Sequence, residues 1–126
     1  MEYNFTGKTI LIVEDEKVSQ YFFEKALGKS QANLLFVNNG LEAVEIIRKD
    51  NVIDLILMDI RLPQMNGIEA TYKIKEINPK IPIIVQTAYA LRSSQEEAIK
   101  SGCDEYITKP IRIETLLPLI GKYLNA

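Results

Sequence analysis

The chain has 126 residues, 47% of them hydrophobic and 25% charged, and its 15 basic and 17 acidic side chains give a formal net charge of −2. This length suits one compact domain, so we expect a single domain over residues 1–126 with its core at about 8–124. No dense basic cluster is present for direct binding of nucleic acid, and the absence of histidine excludes imidazole catalysis and zinc sites with histidine ligands.

The cellular setting is predicted from what the chain lacks. No apolar stretch approaches the ~18 residues needed to span a bilayer, and the polar residues 1–8 carry no signal-peptide pattern. We therefore expect a cytoplasmic protein whose domain makes no membrane contact. The single cysteine, Cys103, is expected to be a small buried side chain in a reducing compartment.

Five short apolar, β-branched runs predict five strands, at residues 9–13, 34–37, 55–58, 81–85 and 106–107. Between them apolar residues recur at a spacing of three and four, which predicts helices. Strands that are apolar throughout are covered on both faces, as in a parallel sheet between helices. The sequence therefore predicts an α/β fold, a doubly wound (βα)5 domain.

Two helices have unusual features. The fourth, at residues 91–100, has few apolar positions, so it should be the easiest helix to displace. In the last, at residues 113–124, Pro118 removes a backbone donor and predicts either a kink or a later start of the helix.

Chemically active side chains follow four of the five predicted strands. Glu14 and Asp15 follow the first strand and Asp59 the third. Thr87 follows the fourth and Lys109 the fifth. All strands of a doubly wound sheet end at one edge, and in the common order 2-1-3-4-5 the first and third strands are neighbours. We therefore expect these side chains to converge, with Asp15 beside Asp59.

Such a cluster of carboxylates favours a bound cation. A hard divalent ion removes both the mutual repulsion of the acids and the cost of burying them, and a few oxygen ligands suit Mg²⁺ better than a full Ca²⁺ cage. With the charge neutralised, Asp59 could accept a phosphoryl group as a carboxylate nucleophile. Thr87 and Lys109 would then bind the phosphoryl oxygens.

Each of these residues also has a purely structural interpretation. Asp15 could cap a helix that begins near Glu16, and Asp59 could belong to a turn. Thr87 is an ordinary strand residue, and Lys109 could be solvated. The coincidence of complementary groups at one sheet edge favours a functional site.

Two phosphate-binding motifs are excluded. Residues 7–9 (GKT) resemble the end of a P-loop, but Glu2 replaces its first glycine and a strand follows where a helix is required. A flavin-phosphate loop after the first strand is excluded because the acids at residues 14–16 would repel a phosphate.

Four motifs are carried in order across essentially the whole chain: LIVEDE (11–16), LILMDIRLPQMNG (55–67), QTAYA (86–90) and YITKP (106–110). Together they resemble the receiver domain of two-component response regulators. The resemblance implies a flavodoxin-like fold with strand order 2-1-3-4-5. It also implies a switch that accepts a phosphoryl group on Asp59 from a partner's phosphohistidine, and that partner would be a sensor histidine kinase or a histidine phosphotransfer protein.

The resemblance also implies a metal site. Mg²⁺, or Mn²⁺ as a substitute, would be held directly by Asp15, Asp59 and the backbone carbonyl of Arg61. Glu14 would act mostly through water.

In the family pattern Thr87 and Lys109 occupy the switch-hydroxyl and lysine positions, and Tyr106, by default a core aromatic, occupies that of the switch aromatic. The Lys109-Pro110 bond is at a position that is usually cis. Phosphorylation would draw Thr87 to the phosphoryl group, turn Tyr106 inward and repack the face of the fourth helix, fifth strand and fifth helix, which is also a candidate homodimer surface.

The positions two residues after Asp59 and Thr87 are Arg61 and Tyr89, which are bulky and poorly suited to orienting an attacking water molecule. They predict a long-lived phosphorylated state. The chain could be a stand-alone regulator or a receiver from a hybrid sensor kinase or a larger regulator. The motif MDIRLPQMNG resembles hybrid-kinase receivers, in which case the domain would be the cytoplasmic part of a membrane-anchored protein.

Two other functions remain open. A haloacid-dehalogenase-like phosphatase would also use an aspartyl-phosphate, but it needs an acid where this chain has Arg61. A degenerate receiver could act as a scaffold, although all the expected site positions are filled. We therefore expect a phospho-accepting signalling domain and not an enzyme acting on other substrates.

Overall fold

The computed structural model describes residues 3–49, 52–88 and 92–124. The strands are β1 (Thr9–Val13), β2 (Asn33–Val37), β3 (Leu55–Asp59), β4 (Ile83–Thr87) and β5 (Glu105–Thr108). The helices are α1 (Lys17–Gly28), α2 (Gly40–Arg48), α3 (Gly67–Ile77), α4 (Arg92–Lys100) and α5 (Ile113–Leu124).

The strands form one parallel sheet in the order β2-β1-β3-β4-β5, which confirms the predicted fold and strand order. The register aligns the carboxyl ends of the strands, since Val13 pairs with Met58, and Asp59 with Gln86. The residues that follow β1, β3, β4 and β5 therefore meet at one edge.

Helices cover both faces of the sheet, as predicted from the continuous apolar strands. One core contains buried side chains of α2, α3 and α4, among them Val44, Ile74 and Ala98. The other contains buried side chains of α1 and α5, among them Phe23 and Leu116. Alternate residues of the inner strands β1, β3 and β4 point into the two cores.

The predicted bounds of β4 are wrong by two residues at each end. Pro82 has no N–H to donate to the ladder, so pairing begins at Ile83. At the other end the strand continues through Gln86 and Thr87, which are polar but buried. The lack of apolar character at these two positions is what ended the prediction too early.

Of the predictions for the two unusual helices, the sparse burial of α4 agrees with the structure and the late start of α5 does not. Within the described side chains of α4, Ala98 is the one buried residue and Ile99 is 61% exposed, so little burial holds this helix. The predicted late start of α5 is wrong, because the helix runs from Ile113 through Pro118. Its buried apolar stripe, which includes Leu116, outweighs the lost backbone bond.

Candidate metal and phosphoryl site

Three acids meet at the carboxyl edge of the sheet. Glu14 and Asp15 directly follow β1, and Asp59 ends the neighbouring strand β3. One carboxylate oxygen from each lies within 4.8 Å of the others. Glu14 and Asp59 are buried while Asp15 is exposed, so the cluster opens to solvent on one side. The structure thus brings together the acids that the sequence placed on one edge.

Lys109 is the cation of this cluster. Its backbone N–H donates to the Thr87 carbonyl at 2.8 Å, which extends the β4–β5 ladder beyond the end of β5. Its Nζ lies 3.1 Å from Glu14 Oε1 and 3.7 Å from Asp59 Oδ2. The other Glu14 oxygen accepts a hydrogen bond from the Glu16 N–H at 3.1 Å. This ammonium group therefore contacts two of the three acids, and the cluster keeps a surplus of negative charge.

The pKa of the Asp59 carboxyl reflects its burial first and this surplus of negative charge second. Burial, and then the charge of Glu14, raise the pKa of the Asp59 carboxyl to about 6, although Lys109 and a hydrogen bond from the Arg61 N–H act in the opposite direction. Burial lowers the pKa of Lys109, but the charges of Asp59 and Glu14 outweigh burial and raise it overall. The lysine stays protonated, while the acids remain incompletely neutralised.

The donor set fits Mg²⁺. The available ligands are carboxylate oxygens, which hard cations prefer, and the exposed side of Asp15 leaves room for water or phosphate ligands. A divalent cation would also neutralise the charge that raises the pKa of Asp59.

The loop after β3 closes against the site. The Gly67 N–H donates to the Ile60 carbonyl at 2.9 Å, and a Cβ at Gly67 would lie 2.0 Å from the Asp59 carbonyl oxygen. Only glycine permits this close approach. The side chain of Asn66 then caps α3 by accepting from the Glu69 N–H at 2.9 Å. These contacts fix the backbone on which Arg61 lies.

The structural interpretation of Asp15 as a helix cap is wrong. The N-cap residue of α1 is Glu16, and its side chain makes no capping hydrogen bond. Asp15 therefore precedes the helix, and its carboxylate lies with the metal-binding cluster.

The remaining predicted residues lie around the same edge. Thr87 is buried at the end of β4. Tyr106 is half-buried on β5, packs against the core shared with α2, α3 and α4, and lines a surface cavity that also contacts Gln95 of α4. The Lys109-Pro110 peptide bond is cis. Tyr89 lies outside the described residues.

Two residues near the site were not predicted. Gln20 Nε2 of α1 donates to the Glu14 carbonyl at 2.6 Å and to Asn38 Oδ1 at 3.1 Å. Gln86 is buried within β4 beside Asp59. Gln86 directly follows the apolar run of β4, where its polarity ended the predicted strand, and Gln20 carried no signal. Cys103 is half-buried, and burial raises the pKa of its thiol to about 11, so this thiol is unreactive at neutral pH.

The model of the response regulator receiver domain family matches residues 10–120. The chain belongs to this family. It is 36% identical over 120 residues to the polar-differentiation response regulator DivK of Brucella anthropi, which covers 94% of this chain and 97% of DivK. As a receiver domain, the chain is a phospho-accepting switch of two-component signalling, and the phosphatase alternative is not favoured.

Solved receiver domains agree with this assignment. The receiver domain of the sensor histidine kinase PA1611 from Pseudomonas aeruginosa, which has a magnesium ion in its active-site cleft, is 32% identical with a TM-score of 0.87, covering 96% of this chain and 100% of that one.

A second similar structure is the co-crystal structure of the Saccharomyces cerevisiae phosphotransfer protein Ypd1 with the receiver domain of Ssk1. It is 30% identical with a TM-score of 0.84, covering 94% of this chain and 90% of that one.

Within the described part of this receiver domain, none of the helices is both long and apolar enough to cross a membrane.

Proposed function

We propose that Asp59 is the residue that accepts the phosphoryl group, and that the donor is a phosphohistidine of a sensor histidine kinase or a histidine phosphotransfer protein. The observation that carries this assignment is the burial of Asp59 at the strand edge between two further acids and the Lys109 ammonium. In the transfer, an Asp59 oxygen bonds to phosphorus and the P–N bond of the donor breaks. The imidazole leaves as its neutral form after protonation from water.

The metal would be held by Asp15, Asp59 and the backbone carbonyl of Arg61, with Glu14 acting mostly through water. Mg²⁺ is the expected ion and Mn²⁺ a substitute, since both accept octahedral sets of oxygen ligands. The ion would supply the positive charge that lets one anion approach another. The similar PA1611 receiver domain with its bound magnesium supports this proposal.

Thr87 and Lys109 would bind the phosphoryl oxygens, and Tyr106 would turn inward as Thr87 moves. The face formed by α4, β5 and α5 would then repack. The sparse burial of α4 and the ≈ 440 Å³ cavity that Tyr106 and Gln95 line support a movable surface at this place. The same face is the candidate for a homodimer contact.

An apolar patch next to the site supports docking of the phosphodonor. Val18 on α1 is 84% exposed and, with Phe22 and the segment Pro110–Ile111, lines a shallow cavity that Lys109 borders. Exposed apolar patches of this kind mark protein interaction sites. A partner bound there would reach Asp59 without entering the fold.

The broader setting is proposed on the same basis. The chain would be a single receiver domain over residues 1–126, in the cytoplasm, with no enzymatic activity beyond its own phosphorylation and dephosphorylation. Its charge does not favour direct contact with nucleic acid.

Phosphotransfer profiling tests the assignment of Asp59. The chain is incubated with Mg²⁺ and each of a panel of phosphorylated kinases and histidine phosphotransfer proteins, and phosphoprotein is resolved on a phosphate-affinity gel. Wild type should be labelled and Asp59→Asn should not. A folded Asp59→Asn protein labelled at the wild-type rate would contradict the proposal.

The lifetime of the phosphorylated state is a separate prediction. Arg61 is exposed and neither it nor Tyr89 offers a carboxylate or amide to orient water, so we expect dephosphorylation to take minutes or longer. Arg61→Asn and Tyr89→Glu should shorten the lifetime, measured by loss of label after removal of the donor. Loss within seconds in wild type, unchanged in both variants, would disprove the idea.

A further inference from the structure

Gln86 is a buried carboxamide with unsatisfied hydrogen-bonding groups. Its residue is 1% exposed, and among the described residues neither Nε2 nor Oε1 has a hydrogen-bond partner. Other buried polar side chains are satisfied: Thr71 donates to the Gly67 carbonyl at 2.7 Å and Ser30 to the Leu27 carbonyl at 2.6 Å. A buried amide without partners costs stability, so its presence calls for a physical reason.

The register places Gln86 next to the site. It pairs with Asp59 on one side and with Ile107 on the other. Paired residues of neighbouring strands point to the same face of a sheet. Ile84 and Ile107 belong to the core beneath α1 and α5, so the Gln86 side chain is on that face too.

Lys109 crosses the strand that carries Gln86. The backbone of Lys109 continues β5, while its Nζ lies near Asp59 on β3 and Glu14 after β1. Because β4 lies between β5 and β3, the lysine side chain passes over the end of β4. The buried carboxamide therefore lies on the strand beneath the path of the lysine.

The chemistry of the ammonium group gives the carboxamide a role. Lysine has three N–H donors, and the acceptors it faces here, Glu14 and Asp59, are acids that a divalent cation would engage. In the loaded state the phosphoryl oxygens would accept from some of these three donors, and an N–H that has lost its acid to the cation needs a further acceptor. A neutral amide oxygen is suitable because it adds no further negative charge.

We propose that Gln86 is a positioning residue for Lys109, and that its Oε1 accepts a hydrogen bond from Lys109 Nζ when the site holds a divalent cation and a phosphoryl group. The inference rests on the proposed function, since it concerns the same site. In the unloaded state the Gln86 carboxamide has no hydrogen-bond partner, and in the loaded state it accepts a hydrogen bond from Lys109.

Gln86→Met tests this, because methionine has a similar length but no amide. The matched control is Ile84→Met, on the same strand and face, which removes no polar group. The phosphoryl mimic beryllofluoride is titrated with Mg²⁺ present, and melting is followed with and without both ligands. We expect Gln86→Met to bind beryllofluoride about tenfold more weakly, the value of one hydrogen bond to a charged group, and to melt without ligands no lower than wild type.

A spectroscopic measurement separates positioning from general stability. In ¹⁵N-lysine-labelled protein, the Lys109 ammonium signal, assigned with Lys109→Arg, should be protected from exchange in the loaded wild type and in Ile84→Met. It should be lost in Gln86→Met.

Two results would overturn the inference. One is beryllofluoride binding by Gln86→Met within twofold of wild type. The other is that Gln86→Met lowers the melting temperature equally with and without the ligands. That result would mean that water satisfies the Gln86 amide in both the unloaded and the loaded form. Failure of the folded wild type to bind beryllofluoride would instead contradict the proposed function.

Discussion

Acidic side chains lie at both ends of the sheet, and the two groups differ in how their charge is balanced. At the carboxyl edge, Glu14 and Asp59 share Lys109, and Asp15 lies beside them without a lysine contact among those the structure shows. At the start of β5, each of Asp104 and Glu105 has a lysine of its own. The residue types are the same, but only the first group is short of positive charge.

At the start of β5 both acids accept hydrogen bonds from other parts of the domain. Asp104 Oδ2 accepts from Lys75 Nζ and from the Ile83 N–H, both at 2.8 Å. Glu105 accepts from the Tyr123 hydroxyl and from Lys122 Nζ. The hydrogen bond from Tyr123 is the main cause that lowers the pKa of Glu105.

The pKa shifts of Glu105 and Asp59 have opposite directions: a hydrogen bond from Tyr123 lowers the first, whereas burial and then the charge of Glu14 raise the second. Acids whose charge is satisfied within the protein stabilise the fold. Acids left with surplus charge cost stability until a cation arrives, and that cost is the mark of a binding site.

Replacing one acid in each group by its amide should change stability in opposite directions, which is the largest effect we expect. Asp59→Asn removes a repelled, buried carboxylate and should stabilise the metal-free protein by about 2 kcal/mol at pH 8. Asp104→Asn removes a charge-assisted hydrogen bond and should cost about 1 kcal/mol. Urea unfolding in the presence of a chelator measures both. A loss of stability in Asp59→Asn would mean that the edge acids are already balanced.

Mg²⁺ should stabilise only the protein with an intact carboxyl edge. At a free Mg²⁺ concentration ten times the dissociation constant, binding adds about 1.4 kcal/mol to the free energy of unfolding, which raises the melting temperature by several degrees. Asp15→Ala should abolish this gain and leave the metal-free protein at least as stable as wild type. Asp104→Asn is the matched control and should keep the full gain. Melting that does not depend on millimolar Mg²⁺ would count against the site.

Much of the fold and the site could be predicted because both depend on local sequence and topology. Apolar runs predicted the strands, and the shared carboxyl edge predicted that Asp15, Asp59 and Lys109 would meet although the chain separates them widely. The family pattern added the expectation of a cis bond before Pro110.

The rest depends on packing that one sequence does not display. Complete burial of Glu14 and its pairing with Lys109 depend on how the side chains fit together. The extension of β4 through Gln86 broke the apolar pattern on which the prediction relied. Pro118 lies within α5 because tertiary burial outweighs a local preference.

The smallest effect we expect is a pH-dependent change in stability at the start of β5, where the acids are paired within the protein. The Tyr123 hydroxyl donates to the Glu105 carboxylate and lowers the pKa of that carboxyl below its ordinary value of 4.5. A carboxyl group whose pKa is lower in the folded protein than in the unfolded chain stabilises the fold at pH values above its pKa in the unfolded chain. That stability is lost as the pH falls through its pKa in the folded protein. Tyr123→Phe should therefore cost about 1 kcal/mol at pH 7 and progressively less toward pH 3, measured by urea unfolding. The exposed Tyr72→Phe should change stability at neither pH, and a pH-independent cost in Tyr123→Phe would assign its effect to packing instead of charge.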